Sequence, residues 1–172
     1  SEDKTTATLT SDAITNVINS DFNSRGNFSL ETRNDTIIKD NGSIAGGGFI
    51  AIMGNTSNKT YTSNAKLSLE NSKINAESLN INVLSEISSA KNGYVEYSGA
   101  GGGFSAGVDL SLTNTRNQTS EVELKNSKLL SASDAVLNAK TTSAYKQKAD
   151  TSAGGFIAIP KAVSTLNSNN TQ

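Results

Sequence analysis

Glu121 and Glu123 are the acidic side chains in this sequence that come nearest to a catalytic pair. They alternate along an expected strand, so both lie on one face of it. Paired carboxylates hydrolyse glycosidic bonds when two of them converge at a fixed separation. Lys125 continues the same face, which favours a solvent-exposed stripe of charge, and the other acids are scattered. We therefore expect no catalytic residue.

Three glycine-rich segments invite interpretation as phosphate-binding loops. They are Gly47-Gly48-Phe49, Gly102-Gly103-Phe104 and Gly154-Gly155-Phe156. A phosphate loop ends in Gly-Lys-Ser/Thr and precedes a helix, whereas these segments lack the lysine and precede strand-like residues. We interpret the glycines as corners or close backbone contacts and expect the three phenylalanines to cap the core.

Composition excludes several other kinds of chemistry. The 172 residues include no His and no Cys, which excludes histidine-based triads, thiol nucleophiles and thiolate or imidazole metal sites. No calcium-binding repeat is present, so we expect neither a metal nor a cofactor. The net charge of -1 argues against binding of nucleic acid. No apolar run approaches the ~20 residues of a membrane-spanning helix, so we expect no such segment.

The four tyrosines, Tyr61, Tyr94, Tyr97 and Tyr145, are the best candidates for contact with a ligand, and Tyr94 and Tyr97 are the first of them. Tyr94 and Tyr97 flank Val95-Glu96 beside Asn92-Gly93, in what the sequence predicts to be a protruding turn. Aromatic faces pack on sugars or on the side chains of a partner. The alternative is that these tyrosines, with Tyr61 and Tyr145, cover strand faces and keep their hydroxyl groups in water.

Internal repeats organise the chain. The three phenylalanines of the glycine segments recur at steps of 55 and then 52, and Asn19-Ser20 recurs as Asn71-Ser72 and Asn126-Ser127 at steps of 52 and 55. We take the glycines, the phenylalanines, Asn71 and Asn126 as structural anchors of the repeat. The predicted units are approximately 1–52, 53–106 and 107–158, with a truncated 159–172. We expect a single segment excised from a longer protein.

Period-two patterning predicts strands within each unit. Val108-Asp109-Leu110-Ser111-Leu112 alternates apolar and polar residues, and the abundant Ser, Thr and Asn disfavour helix interiors. Short repeating strands with polar corners fit a parallel β-helix, with apolar ladders inside and Asn and Ser ladders at the corners. At ~20 residues a coil we expect eight or nine coils, two to three in each unit, and a length of ~40 Å.

The order of these motifs resembles the repeats of filamentous-haemagglutinin-like large exoproteins, including leukotoxin-type filamentous adhesins. In each unit a glycine segment with Phe precedes an alternating strand, followed by a stretch such as Asn126-Ser127-Lys128-Leu129 and a short closing strand. The resemblance implies an all-β, right-handed parallel β-helix. It also implies two-partner (type V) secretion through an outer-membrane transporter, and a parent protein that is secreted or held at the bacterial cell surface.

The expected function is therefore that of a non-enzymatic shaft in an adhesin or virulence factor that mediates host-cell or cell-cell attachment, with a host-cell surface receptor or glycan as the partner. One alternative is a receptor-binding or cytotoxic segment of a leukotoxin-like toxin, favoured by a departure from the repeat at 85–98. A further alternative is a β-helix enzyme that acts on polysaccharides, which a convergent cluster of acids would support.

Overall fold

All regular structure in the described residues is β-strand. The computed structural model describes residues 2–90 and 95–172, and no helix occurs in those ranges. These strands confirm the expectation of an all-β fold. Alternating apolar and polar residues suit a half-buried strand, and Ser, Thr and Asn weaken helices. Within the same ranges, no helix is long and apolar enough to cross a membrane.

The described strands form three parallel sheets. The first sheet contains the strands β1 (Glu2–Ile18), β4 (Asn41–Glu70), β7 (Val95–Lys125), β10 (Gln147–Gly154) and β11 (Ile157–Thr171). The second sheet contains the short strands β2 (Asp21–Asn23), β5 (Lys73–Ala76) and β8 (Lys128–Ser131). The third sheet contains β3 (Asn27–Ile38), β6 (Ser78–Ser89) and β9 (Ala135–Ala144). The chain visits the three sheets in the same order on each pass, which is consistent with a parallel β-solenoid.

The register shows that one sequence repeat makes one pass through the three sheets. Glu2 pairs with Gly54 and Asn41 pairs with Glu96, so paired residues are separated by the same steps as the recurring motifs. The expectation of a short coil, with two or three coils in each unit, is therefore wrong. Like residues stack on like, so the distance between recurring motifs is itself the length of a coil. Three passes and part of a fourth, spaced by ~4.8 Å, give a stack of roughly 15–20 Å instead of ~40 Å.

The long strands of the first sheet fold over at the glycine segment. A Cβ added to Gly46 would meet the sulfur of Met53 at 2.5 Å, although seven residues of straight strand would separate these positions by about 23 Å. The ladder between β4 and β7 skips Phe49, and β10 ends at Gly154 just before the equivalent Phe156. The chain therefore turns a corner at this segment. The glycine at position 46 leaves room for the side chain of Met53, on the part of β4 that follows the corner.

Two apolar clusters lie inside the stack. One contains the buried residues Ile38, Tyr61, Ile87, Val95, Tyr97, Leu110, Leu112 and Tyr145. The other contains the buried residues Ala65, Leu67, Leu69, Ile74, Leu79, Ile81 and Val83. Because the members of each cluster come from several layers and sheets, burial depends on the stacking of neighbouring coils.

The middle coil is longer than its neighbours at one corner. Asn41 follows Ile38 by three positions, whereas their partners in the next layer, Ser89 and Glu96, are separated by seven. The additional residues therefore fall within the segment 85–98. Positions 91–94, which include Tyr94, lie outside the described residues.

Candidate functional site

The glycine corner is built by close approach of successive backbones. A Cβ at Gly103 would lie closer than 3.0 Å to the carbonyl oxygen of Gly48, and a Cβ at Gly155 would do the same to that of Gly103. Gly48 and Gly155 also have φ angles of 157° and 153°. Gly103 and Gly155 therefore each lie directly on the glycine of the layer below, and only a residue without a side chain fits at these two positions. Gly47, Gly102 and Gly154 precede them in register across the layers.

A ladder of phenylalanines follows the glycines, and it lies outside the core. The rings of Phe49 and Phe104 are 5.1 Å apart and those of Phe104 and Phe156 are 5.5 Å apart, with interplanar angles of 5° and 11°. These side chains are 74%, 51% and 83% exposed in chain order. The expectation that they cap the core is wrong. The close approach of the glycine backbones leaves no interior space at the corner, so the rings turn outward and stack on one another.

A second ladder marks the opposite corner, where the long strands end. Asn19, Asn71 and Asn126 have φ angles of 50°, 48° and 48°, a left-handed conformation that Asn adopts more readily than most residues. The side-chain amide of Asn126 donates to the amide oxygen of Asn71 at 3.4 Å. Asn at this position thus turns the chain into the second sheet and also joins neighbouring layers.

Tyr97 lies in the interior, in a cluster with Asp40 and Lys59. It is only 5% exposed, so it does not present an aromatic face to a ligand from the surface. Its hydroxyl lies 3.1 Å from a carboxylate oxygen of Asp40 and also contacts the ammonium group of Lys59, which pairs with Asp40. Tyr61 donates to the same carboxylate at 3.3 Å. The glycine at position 42 gives the Tyr97 ring its space.

Burial shifts the pKa values of this cluster. It raises the pKa of Tyr61 well above its ordinary value, and nearby Tyr145 and Asp40 add to that effect. Burial also raises the pKa of Tyr145 to about 12, against an opposing hydrogen bond from Asn114. For Lys59, burial lowers the pKa but the contacts with Asp40 and Tyr97 outweigh it and raise the pKa. Near neutral pH the two tyrosines therefore stay protonated and neutral and Lys59 stays charged, which suits a structural role.

Arg116 is the one charged side chain that is buried in the described part of the chain. Its Nε and Nη1 atoms have no hydrogen-bond partner there, and its guanidinium lies 5.4 Å from the centre of the Tyr145 ring. Burial lowers its pKa, and the interaction with Tyr145 partly opposes this. Asn114 and Gln118, which flank it on the same face of the strand, are buried in the same interior. The expected apolar interior is therefore interrupted by polar residues.

The acidic pair on β7 is held by cations. Lys66 lies 3.2 Å from Glu121 and 2.9 Å from Glu123, and Lys125 lies 2.9 Å from Glu123. Hydrogen bonds from Lys125 and Lys66 lower the pKa of Glu123 to about 2. A general acid needs a raised pKa, so this geometry suits the charged stripe that the sequence indicates.

Two open grooves lie along the first sheet, lined mainly by residues that follow the phenylalanines on β4, β7 and β11. One has a volume of about 560 Å³ and a second, centred on Gly107, has a volume of about 300 Å³. Across residues 2–90 and 95–172, no three potential ligand side chains of the Asp, Glu, His or Cys type gather where they could hold a metal.

Comparisons with protein-family models, curated proteins and solved structures give no match to this chain. The sequence analysis missed the pairing of Lys59 with Asp40 and the burial of Arg116. The first joins Asp40, in the connection between β3 and β4, to a residue 19 positions later on β4, and it leaves no local pattern. The second leaves no hydropathy pattern of its own, because Thr115 and Asn117 between the buried residues are polar too. Only its position, which continues the inward row of Leu110 and Leu112 at the period of a strand, indicates it.

Proposed function

We propose that this chain is a segment of the shaft of a secreted filamentous adhesin, folded as a right-handed parallel β-helix. The observation that supports this proposal is the register, in which each repeat unit pairs along its length with the next. The same corner ladders recur in successive layers, so units add without altering the interface between them. In this role the chain spaces and orients other parts of its parent protein.

A wide coil suits such a shaft. β6 has 12 residues, so one side of the cross-section is roughly 40 Å across, while each layer adds only ~4.8 Å of length. The bending stiffness of a rod rises steeply with its width. A parent protein built from these units is therefore shorter for its number of residues, and stiffer, than one built from narrower coils. Because layers stabilise one another, folding outside the outer membrane can proceed one coil after another.

Binding to host cells tests this proposal. The chain is labelled with a fluorophore and incubated with leukocytes and with epithelial cells in the presence of a viability dye. Circular dichroism establishes that the labelled chain is folded. We expect no saturable binding at ~10 µM, a concentration at which weak specific binding is detectable. Saturable binding would overturn the shaft role in favour of a receptor-binding segment. Binding with uptake of the dye would favour a cytotoxic segment.

The additional residues within 85–98 supply the control for that experiment. They are the one feature of the register that favours a binding segment. A variant lacking residues 91–94 restores the spacing found between Ile38 and Asn41 and between Ala144 and Gln147. If cells bind the full chain and not this variant, the binding function resides at this corner. A shaft behaves identically with and without these residues.

A further inference from the structure

A polar seam separates the two apolar clusters along the inward face of β7. Leu112 belongs to one cluster, and Val122 packs against the other. The seam is the inward row between them, and its members are no more than 7% exposed: Asn114, Arg116, Gln118 and Ser120. Buried polar groups normally find hydrogen-bond partners, so the partners of this row can be assigned atom by atom.

The side-chain amide of Gln118 is held in one orientation. Its Nε2 donates to the backbone oxygen of Ser85 at 3.2 Å and to that of Thr142 at 2.7 Å. A backbone oxygen only accepts, so the amide nitrogen must be the atom that faces both of them. The atom left over is Oε1, which is buried and accepts no hydrogen bond from the described residues.

The side-chain amide of Asn114 is fixed as well, through Gln147. The Nε2 atom of Gln147 donates to the backbone oxygen of Thr165 at 2.7 Å, so its Oε1 is an acceptor for Asn114. Asn114 Nδ2 donates to that Oε1 at 3.0 Å and to the hydroxyl of Tyr145 at 2.6 Å. The remaining atom of the amide, Oδ1, is buried and accepts no hydrogen bond from the described residues.

Arg116 lies between these two amides and has the opposite need. Its Nε and Nη1 donors have no acceptor among the described residues. The carboxylate of Asp40, in the neighbouring cluster, is engaged by Lys59 and Tyr97. Open acceptors therefore lie on both sides of open donors, at three successive inward positions of one strand.

Water matches these groups, whereas an anion does not. A water molecule accepts from an N–H group and donates to an oxygen at the same time, and a buried water typically makes about three such hydrogen bonds. A chloride ion only accepts, so it would leave both amide oxygens without a donor. Asn114 and Gln118 are four residues apart, about 13 Å along a strand, so one water cannot reach both.

We propose that the polar seam binds two internal water molecules at Arg116. One accepts from Arg116 and donates to Oδ1 of Asn114, and the other accepts from Arg116 and donates to Oε1 of Gln118. Together they solvate a guanidinium group whose charge would otherwise be costly to bury. The proposal goes beyond the shaft role, because it assigns a bound ligand to the interior of the coil.

Magnetic relaxation dispersion of the water oxygen signal tests this proposal, because internal waters exchange more slowly than surface waters. We expect the number of long-lived waters to fall by about two in Arg116→Met, which removes both donor atoms and keeps an unbranched side chain. The control is Leu112→Met, a substitution of similar volume at a fully buried position of the same inward row, which should leave the number unchanged. Circular dichroism of each variant establishes that it is folded.

Two results would overturn the proposal. One is an equal number of long-lived waters in the unaltered chain and in Arg116→Met. The other is a dependence on chloride, measured by replacing sodium chloride with sodium gluconate at equal ionic strength. If this replacement lowers the urea midpoint of the unaltered chain and not that of Arg116→Met, the guanidinium binds an anion. Neither result bears on the shaft role, which the cell-binding experiment tests.

Discussion

At the scale of single residues, a backbone oxygen decides what position 103 accepts. A Cβ there would meet the carbonyl oxygen of Gly48, whereas a Cβ at the adjacent Gly102 would meet nothing within 4 Å. We expect Gly103→Ala to lower the free energy of unfolding by about 1–3 kcal/mol, because neighbouring coils must separate to make room.

The matched control for that substitution is Gly102→Ala, measured in the same urea titrations. It should change the free energy of unfolding by no more than about 0.5 kcal/mol, as most exposed substitutions do. Equal effects of the two substitutions would contradict a corner built by close backbone approach.

The buried tyrosines give a prediction about pH. The pKa of Tyr145 is raised to about 12, so its protonated form is favoured in the folded state. The resulting stability is fully present below the ordinary pKa of about 10 and is lost as pH rises through 12. We expect the absorbance of tyrosinate, followed near its ultraviolet maximum, to lose its step near pH 12 in Tyr145→Phe. If Tyr145→Phe instead removes a step near the ordinary tyrosine pKa, the hydroxyl of Tyr145 lies in water and the prediction is wrong.

At the scale of elements, the inward-facing rows of the long strands carry the stability. Leu67 on β4 is fully buried, whereas Leu124 on β7 is 43% exposed. Leu124 is the register partner of Leu69, which lies two positions after Leu67 on β4. We expect Leu67→Ala to cost about 2–5 kcal/mol of unfolding free energy and Leu124→Ala less than about 1 kcal/mol. Urea denaturation of both variants checks this. Similar losses would mean that the two positions are equally packed.

Strand patterning was predictable because it is local. Alternation at Val108–Leu112 determines which side chains point inward, and the structure buries Val108, Leu110 and Leu112 as that pattern indicates. The burial of the polar side chains Asn114, Arg116 and Gln118 was not predictable in the same way. A run such as Asn114 to Gln118 has polar residues on both faces of the strand, so hydropathy alone does not separate the buried row from the exposed one.

The tyrosine prediction failed at positions 61, 97 and 145 for a related reason. An aromatic ring suits either face of a strand, and the choice depends on partners in other layers. Tyr97 is drawn inward by Asp40 and Lys59, both of which are distant from it along the chain. Such long-range pairs leave no signal in a single sequence. Tyr94 lies outside the described residues, and its role stays a prediction.

At the scale of the whole molecule, the repeat period determines the shape. Because one repeat unit completes one pass through the three sheets, the segment is wider than it is tall. The period was visible in the sequence, but the number of residues in a coil was assumed and not read from that period. The register, and not the sequence, shows that motifs recurring once in each period lie in adjacent layers.

The most direct test of this architecture is a disulfide between adjacent layers of the cysteine-free chain. Thr60 on β4 and Thr115 on β7 are register partners on the outer face. The spacing of paired strands, ~4.8 Å, lies within the Cα separation of about 4.4–6.8 Å that a disulfide accepts. The control variant pairs Thr60→Cys with Asn80→Cys, positions that the shorter coil expected from the sequence would stack.

Both double variants are oxidised at low protein concentration, and free thiols and molecular mass are measured. We predict that Thr60→Cys with Thr115→Cys forms an intramolecular disulfide to completion with an unchanged circular dichroism spectrum. Thr60→Cys with Asn80→Cys should keep both thiols free, because these residues lie on different sheets. Oxidation of the control pair, with the register pair left reduced, would contradict one coil per repeat and the shaft built on it.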